Sequence, residues 1–343
     1  MEALLDSVTF STVGSYIMYC LFFLGCLLGV SGVVNLLASR PVSIQLTVFV
    51  FTLANLLFLA GFGLICWFHY QIYCDLPLEL PGNLASIFNS HLTTMNRGSE
   101  YGLPLLDPHN PPRYTVPVWI EQEKYYFWFM CFGILGLFAH LRLRQHRARA
   151  LLYIIFSVQV GILFFATDPF VQPLPGFIKE ITPWFEGNLH PRSQFSLFMK
   201  LYPRMVFYYN ASYMWIHPPM LFISYACITL VFITSLFMLV NRDPVIEIAG
   251  YDFAKLGFLL LTIGMLIGYP WALKAWGPNW WWDPKICSSI MMWSVFSTYL
   301  HARLYSGRKG MWYFTSILGI LCFLAMIFTF LVSIFFPGEH TSQ

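Results

Sequence analysis

The chain has 343 residues, of which 58 % are hydrophobic and 10 % charged, with a formal net charge of +3. Soluble domains carry about a quarter charged residues, so this composition excludes an ordinary water-soluble globule and points to lipid as the solvent. No basic run interleaved with aromatics marks a nucleic-acid surface, and the eight cysteines include no C-x-x-C pair, which argues against a disulfide framework.

The opening stretch, MEALLDSVTFST, lacks the basic region and small-residue cleavage site of a signal peptide, so the first apolar segment is expected to stay as a membrane helix. Apolar runs of about 20 residues, the length that crosses about 30 Å of hydrocarbon, predict eight helices at 15–38, 44–68, 122–141, 150–169, 213–240, 255–273, 286–304 and 311–335. The expected architecture is therefore all-α: one polytopic membrane helix bundle spanning 1–343. Arg40, then Arg142, Arg144, Arg147 and Arg149, then Arg242 and Lys255, then Arg303, Arg308 and Lys309 fall in short connections on one side, which the positive-inside rule assigns to the cytoplasm. Both termini then face outward, as an even number of spans requires. Two outer connections, roughly 70–121 and 170–212, are rich in Pro, Gly, Asn and aromatics and predict ordered loops or short surface helices.

The most unusual segment is AWGPNWWWDPKICSSIMMW at 275–293, a Trp-rich outer loop leading into the seventh helix. One or two tryptophans would be an interfacial belt and nothing more. Here Trp276, Trp280, Trp281 and Trp282 accompany Gly277, Pro278 and Asp283, a density of rings that suits a stacking shelf for a flat ligand, with Asp283 fixing the loop by hydrogen bonds. His217 stands in MWIHPPM, where Pro218 and Pro219 suit the first positions of the fifth helix, so its imidazole is expected at the outer mouth. His340 follows the last helix on the same face. Each alone reads equally well as an interfacial polar residue; two imidazoles flanking a flat aromatic shelf are what bis-histidine ligation of a haem iron needs, whereas zinc would want further close ligands. Since C-x-x-C-H is absent, any haem is held by coordination alone.

WGPNWWWD at 276–283 resembles the WGxxWxWD signature of the haem-handling (WWD-domain) superfamily of cytochrome c biogenesis. WWWDPK, YLHARL at 299–304 and FTFLVSIFFPGEHTSQ at 328–343 look most like CcsA, also called ResC, the membrane subunit of the system II synthase. ATDPF at 166–170 and WIHPPMLFISYA at 215–226 are similar to CcmF and NrfE of the system I type. The resemblance covers about 120–343. It implies non-covalent haem b with His217 and His340 as axial ligands, a Trp loop cradling it on the periplasmic face of a bacterial inner membrane, and His301 as one ligand of a second haem within the membrane. It implies two partners: a CcsB/ResB-like membrane chain and an apocytochrome c bearing C-x-x-C-H. The sequence departs from that pattern after WWDPK, where Ile286, Cys287, Ser288 and Ser289 replace an acidic residue and an aromatic.

Depth supports the inner site independently. His301 is about 16 residues into its helix, hence roughly 24 Å along it, and ionisable groups within spans are functional by default; the competing reading is a histidine snorkelling beside Arg303. His140 is a candidate second inner ligand, failing one from the partner. His69 lies at the wrong depth, and His91, His109 and His190 read as surface residues. Lys274 and Lys285 bracket the Trp loop and suit haem propionates, or simply snorkel. Three rivals remain: a CcmC-like haem exporter, which generally has six spans; a di-haem quinone-reactive cytochrome b subunit; and a solute transporter, which should show discontinuous helices.

Overall fold

The computed structural model describes residues 6–37, 42–97, 102–187, 189–278, 280–305, 307–308 and 310–336, with Ala275, Trp276 and Ser333 described for their backbone alone. Its elements, in chain order, are α1 (Ser7–Leu37), α2 (Ile44–Asp75), α3 (Gly82–Asn96), α4 (Glu123–Arg142), α5 (His146–Ala166), α6 (Pro175–Glu186), α7 (Pro191–Arg204), a π-helical turn (Met205–Tyr209), α8 (Tyr213–Val240), α9 (Pro244–Trp276), a 3-10 turn (Trp280–Trp282), α10 (Pro284–Arg303) and α11 (Met311–Phe335). Among the described residues there is no sheet, only an isolated antiparallel bridge between Pro77 and Arg113. The protein is all-α and multi-pass.

Seven of these helices, α1, α2, α4, α5, α8, α9 and α11, are long and apolar enough to cross a membrane. The eighth expected span, α10, is 20 residues long, enough for about 30 Å at 1.5 Å per residue, but Ser288, Ser289, Ser294, Ser297, Thr298 and His301 dilute its apolar character. Expected boundaries shift where capping outranks hydropathy. α9 starts at Pro244 rather than 255, because the Asp243 carboxylate accepts from Val245 N (2.8 Å) and Ile246 N (3.4 Å) and Pro244 needs no donor there. The charge of Glu247 is tolerated inside that first turn because it pairs with Arg303 of α10.

α8 is the central strut, packed against α4, α9 and α11, while α1 lies between α2 and α5 and α10 leans on α11 and α9. At the arginine-rich end, Arg142 bonds Asp252 (2.7 Å) and Gln145 bonds Asp243 (2.6 Å), tying the α4–α5 connection to α9. At the opposite end the two long connections form an ordered layer of α3, α6 and α7, as the loop composition predicts. Asn89 holds both backbone polar groups of Leu106, and Asn96 both of Leu103, so this layer satisfies its backbone internally. Within it Glu180 meets Arg204 (2.7 Å) and Tyr209 (3.1 Å); burial raises its carboxyl, and the Arg204 charge opposes that rise.

Candidate functional site

The Trp loop is built from two helix ends. α9 closes at Gly277, whose φ of 78° and ψ of −171° lie in a region open essentially to glycine, and whose N–H bonds Leu273 O at 3.0 Å. The chain then makes a single 3-10 turn, Trp280–Trp282. Asp283 ends it: buried at the start of α10, it accepts from Lys285 N (2.9 Å) and Ile286 N (3.4 Å), with Pro284 in the first helical position. The carboxylate that sequence assigns to loop fixing is thus the N-cap of α10.

The rings divide by role. Trp280 is half-buried, edge-on to Tyr269 at 5.2 Å. Trp281 and Trp282 stack on each other at 4.5 Å and remain 48 % and 67 % exposed, an apolar platform presented outward. Exposure of two large stacked rings at the end of a membrane bundle is what a flat ligand needs and what a packed core avoids. The Trp276 side chain and the whole of His340 lie outside the described residues.

His217 is the fifth residue of α8, which begins at Tyr213, so Pro218 and Pro219 lie beyond the first turn rather than opening it. Pro218 has no N–H to give the carbonyl four residues back, that of Met214. The indole N–H of Trp119 takes that place, donating to Met214 O, while its ring meets Trp215 edge-on at 5.5 Å. Trp119 is the residue sequence reasoning missed; the unpaired carbonyl created by Pro218 was its only signal. The His217 Nδ1–H donates to Gly264 O of α9 at 2.7 Å. A carbonyl can only accept, so Nδ1 carries a proton; in the neutral imidazole the lone pair is then on Nε2, the tautomer of a metal-ligating histidine with an outer-shell partner.

Neighbouring groups complete the mouth. The Lys274 ammonium lies over the Phe207 ring at 5.4 Å, and Trp271 Nε1 donates to Phe207 O at 3.0 Å, so the π turn grips the end of α9 just before the Trp loop. Lys285, partly exposed, follows directly on the Asp283 cap.

The inner candidates are not brought together by any contact. His301 is exposed, its Nδ1 donating to Ser297 O one turn back (2.9 Å). His140 is buried on α4 beside α5, bonding the Tyr153 hydroxyl at 2.9 Å. His69 is also buried, its Nδ1 donating to Val116 O at 2.8 Å, whereas His91, His109 and His190 are exposed. Around His301 the outward face of α10 carries Cys287, Met291, Ser294 and Thr298 at helical spacing, all exposed. The Ser294 and Thr298 hydroxyls donate to carbonyls four residues back, at 2.9 Å each. Among the described residues no three His, Cys, Asp or Glu side chains gather as a metal-ion site.

A family model described as cytochrome C assembly protein matches residues 119–340. The cytochrome c biogenesis protein CcsA of Trichodesmium erythraeum (strain IMS101) is 44 % identical over 70 residues, 20 % of each chain. That of Synechococcus sp. (strain CC9311) is 42 % identical over 70 residues, 20 % of this chain and 23 % of its own. The same-named protein of Trieres chinensis is 42 % identical over 93 residues, 27 % of this chain and 29 % of its own. These matched segments span under a third of the relatives' length. No solved structure matches the chain.

Proposed function

Since the chain belongs to the cytochrome c assembly protein family, we propose that it is the membrane subunit that receives haem b and presents it, on the periplasmic face of a bacterial inner membrane, to an apocytochrome c. The observation that carries this reading is His217: its tautomer is locked by the Gly264 carbonyl at the same helix end as the exposed Trp281–Trp282 platform. A flat ring with a metal at its centre fits that pair of features. His217 and His340 would ligate the iron, Trp280, Trp281, Trp282 and Trp276 would line the ring's surroundings, and Lys274 and Lys285 would meet the propionates. When bound, haem supplies the vinyl groups to which the two thiols of a C-x-x-C-H peptide add, a reaction that loses no atoms. The chain's own work is to hold, orient and keep one face reachable from the loop side.

His301 supports a second site nearer the arginine-rich end. A membrane helix whose outward face includes Ser294, Thr298 and His301 beside Met291 is poorly matched to lipid at those positions, and a CcsB/ResB-like membrane chain against α10 would both cover that face and bring a further ligand. The burial of His140 against Tyr153 favours a ligand from the partner.

Two measurements test the outer-site reading: the haem spectrum of the purified chain, and covalent haem staining of a co-expressed C-x-x-C-H reporter. Replacing Trp280, Trp281 and Trp282 with alanine is expected to weaken outer haem retention and abolish reporter maturation while sparing the inner haem. Normal maturation in the triple variant, or in cells lacking the protein, would sink the assembly reading and favour an electron-transferring cytochrome b subunit.

A further inference from the structure

α9 passes behind His217 with two glycines one turn apart on the same face. Gly264 gives its carbonyl to Nδ1 at 2.7 Å. A Cβ on Gly268 would stand 2.6 Å from both Cε1 and Nδ1 of the imidazole and 3.2 Å from Nε2. The first two separations are shorter than real Cβ contacts allow, so the ring occupies the space that any other residue's side chain would fill. The backbone at Gly268 is ordinary helix, open to any residue. Glycine weakens a helix interior and is not needed there for conformation; here it is needed for clearance.

We propose that Gly268 is a positioning residue for His217: with the backbone carbonyl of residue 264 it forms a seat on α9 that sets the direction of the Nε2 lone pair. This rests on reading His217 as a haem ligand. The seat matters because α9 continues from Gly268 to the Trp loop: Trp276 is eight residues further, about 12 Å at 1.5 Å per residue. Although His217 belongs to α8, its ring takes its register from the helix that carries the platform. Ligand and shelf are therefore mounted on one rod, and the rod is gripped between them where Trp271 bonds Phe207 O. A small roll of α8, whose early turn is loosened by two prolines, would not by itself turn the imidazole away from the platform.

The test compares Gly268→Ala, Gly264→Ala and His217→Ala in a full chain that also carries His301→Ala, so that remaining haem signal reports the outer site. Gly264→Ala is the packing control. Its methyl would meet the Leu221 Cδ2 at 2.9 Å and the Met220 Cβ at 3.3 Å, and not the ring, while the acceptor carbonyl is kept. The readouts are haem bound per protein, the Soret spectrum, and recovery on adding free imidazole. Gly268→Ala is expected to weaken haem retention about tenfold or more, the range for disturbing an outer-shell partner of a ligating histidine. Its spectrum should move toward that of His217→Ala, imidazole should partly restore it, and Gly264→Ala should keep the parent spectrum. A parental spectrum in Gly268→Ala overturns the seat, as does equal loss in both glycine variants without imidazole recovery, which would mark helix packing alone. If His217→Ala keeps its haem, the ligand reading has failed instead, and the seat falls with it.

Discussion

Side chains whose identity carries chemistry were legible in the sequence; their settings were not. Trp280, Trp281 and Trp282 could be read as a shelf because four tryptophans in seven residues exceed any belt. The tautomer of His217 could not, because it depends on a carbonyl 47 positions away on another helix. Asp283 lies between these cases: a loop-fixing carboxylate was expected, and the structure makes it the cap of α10. Removing such a cap costs about 1 kcal/mol, so Asp283→Ala should lower the thermal midpoint and loosen the Trp turn, with loss of outer haem. Asp283→Asn keeps an acceptor for the same two N–H groups and should stay near the parent in both. Equal damage from the two substitutions, in a thermal melt read beside the haem spectrum, would give the negative charge itself a role and remove the capping account.

Elements were legible where hydropathy decides them and blurred where capping does. Eight apolar runs became eight long helices among the described residues, yet α9 gained about three turns at its start, the first carrying Glu247, because a hydropathy reading stops at charges and a helix stops at caps. The same reading could not foresee that α10 would turn Ser294 and Thr298 outward, since which face meets neighbours is set by packing with α9 and α11. That face makes a prediction. Ser294→Leu with Thr298→Leu adds apolar surface without disturbing the buried side, where Met292, Phe296 and Tyr299 lie. If the face meets only lipid, the double variant should be at least as stable as the parent. We expect instead that it remains folded but fails to co-purify with a CcsB/ResB-like chain and loses the inner haem. Unchanged co-purification would move the partner surface elsewhere.

Over the whole molecule, the expected orientation follows from arginines that the structure shows at work, with Arg142 and Arg303 fastening α4 and α10 to α9 at one end. Reporter fusions after residues 145 and 305 should both read as cytoplasmic, and an insertion at 278 as periplasmic. A cytoplasmic signal at 278 would invert the site, and one side for both 278 and 305 would mean that α10 does not cross. The loop-end layer was foreseen as ordered loops or short surface helices, though which stretches would be helical was not, because their apolar faces are too short to stand out against so hydrophobic a chain. The π turn at its end has a further consequence, best put as register. A π turn holds more residues per turn than an α-helix, so excising one residue from Met205–Tyr209 would let the backbone relax to regular helix. Because the wide turn absorbs that extra residue, the chain on either side would keep its phase, and what would change is the turn's own carbonyl pattern, taking the Phe207 carbonyl off the Trp271 indole. Such a deletion, ordinarily among the most harmful of edits, should here leave the fold's melting behaviour almost untouched while the haem spectrum collapses.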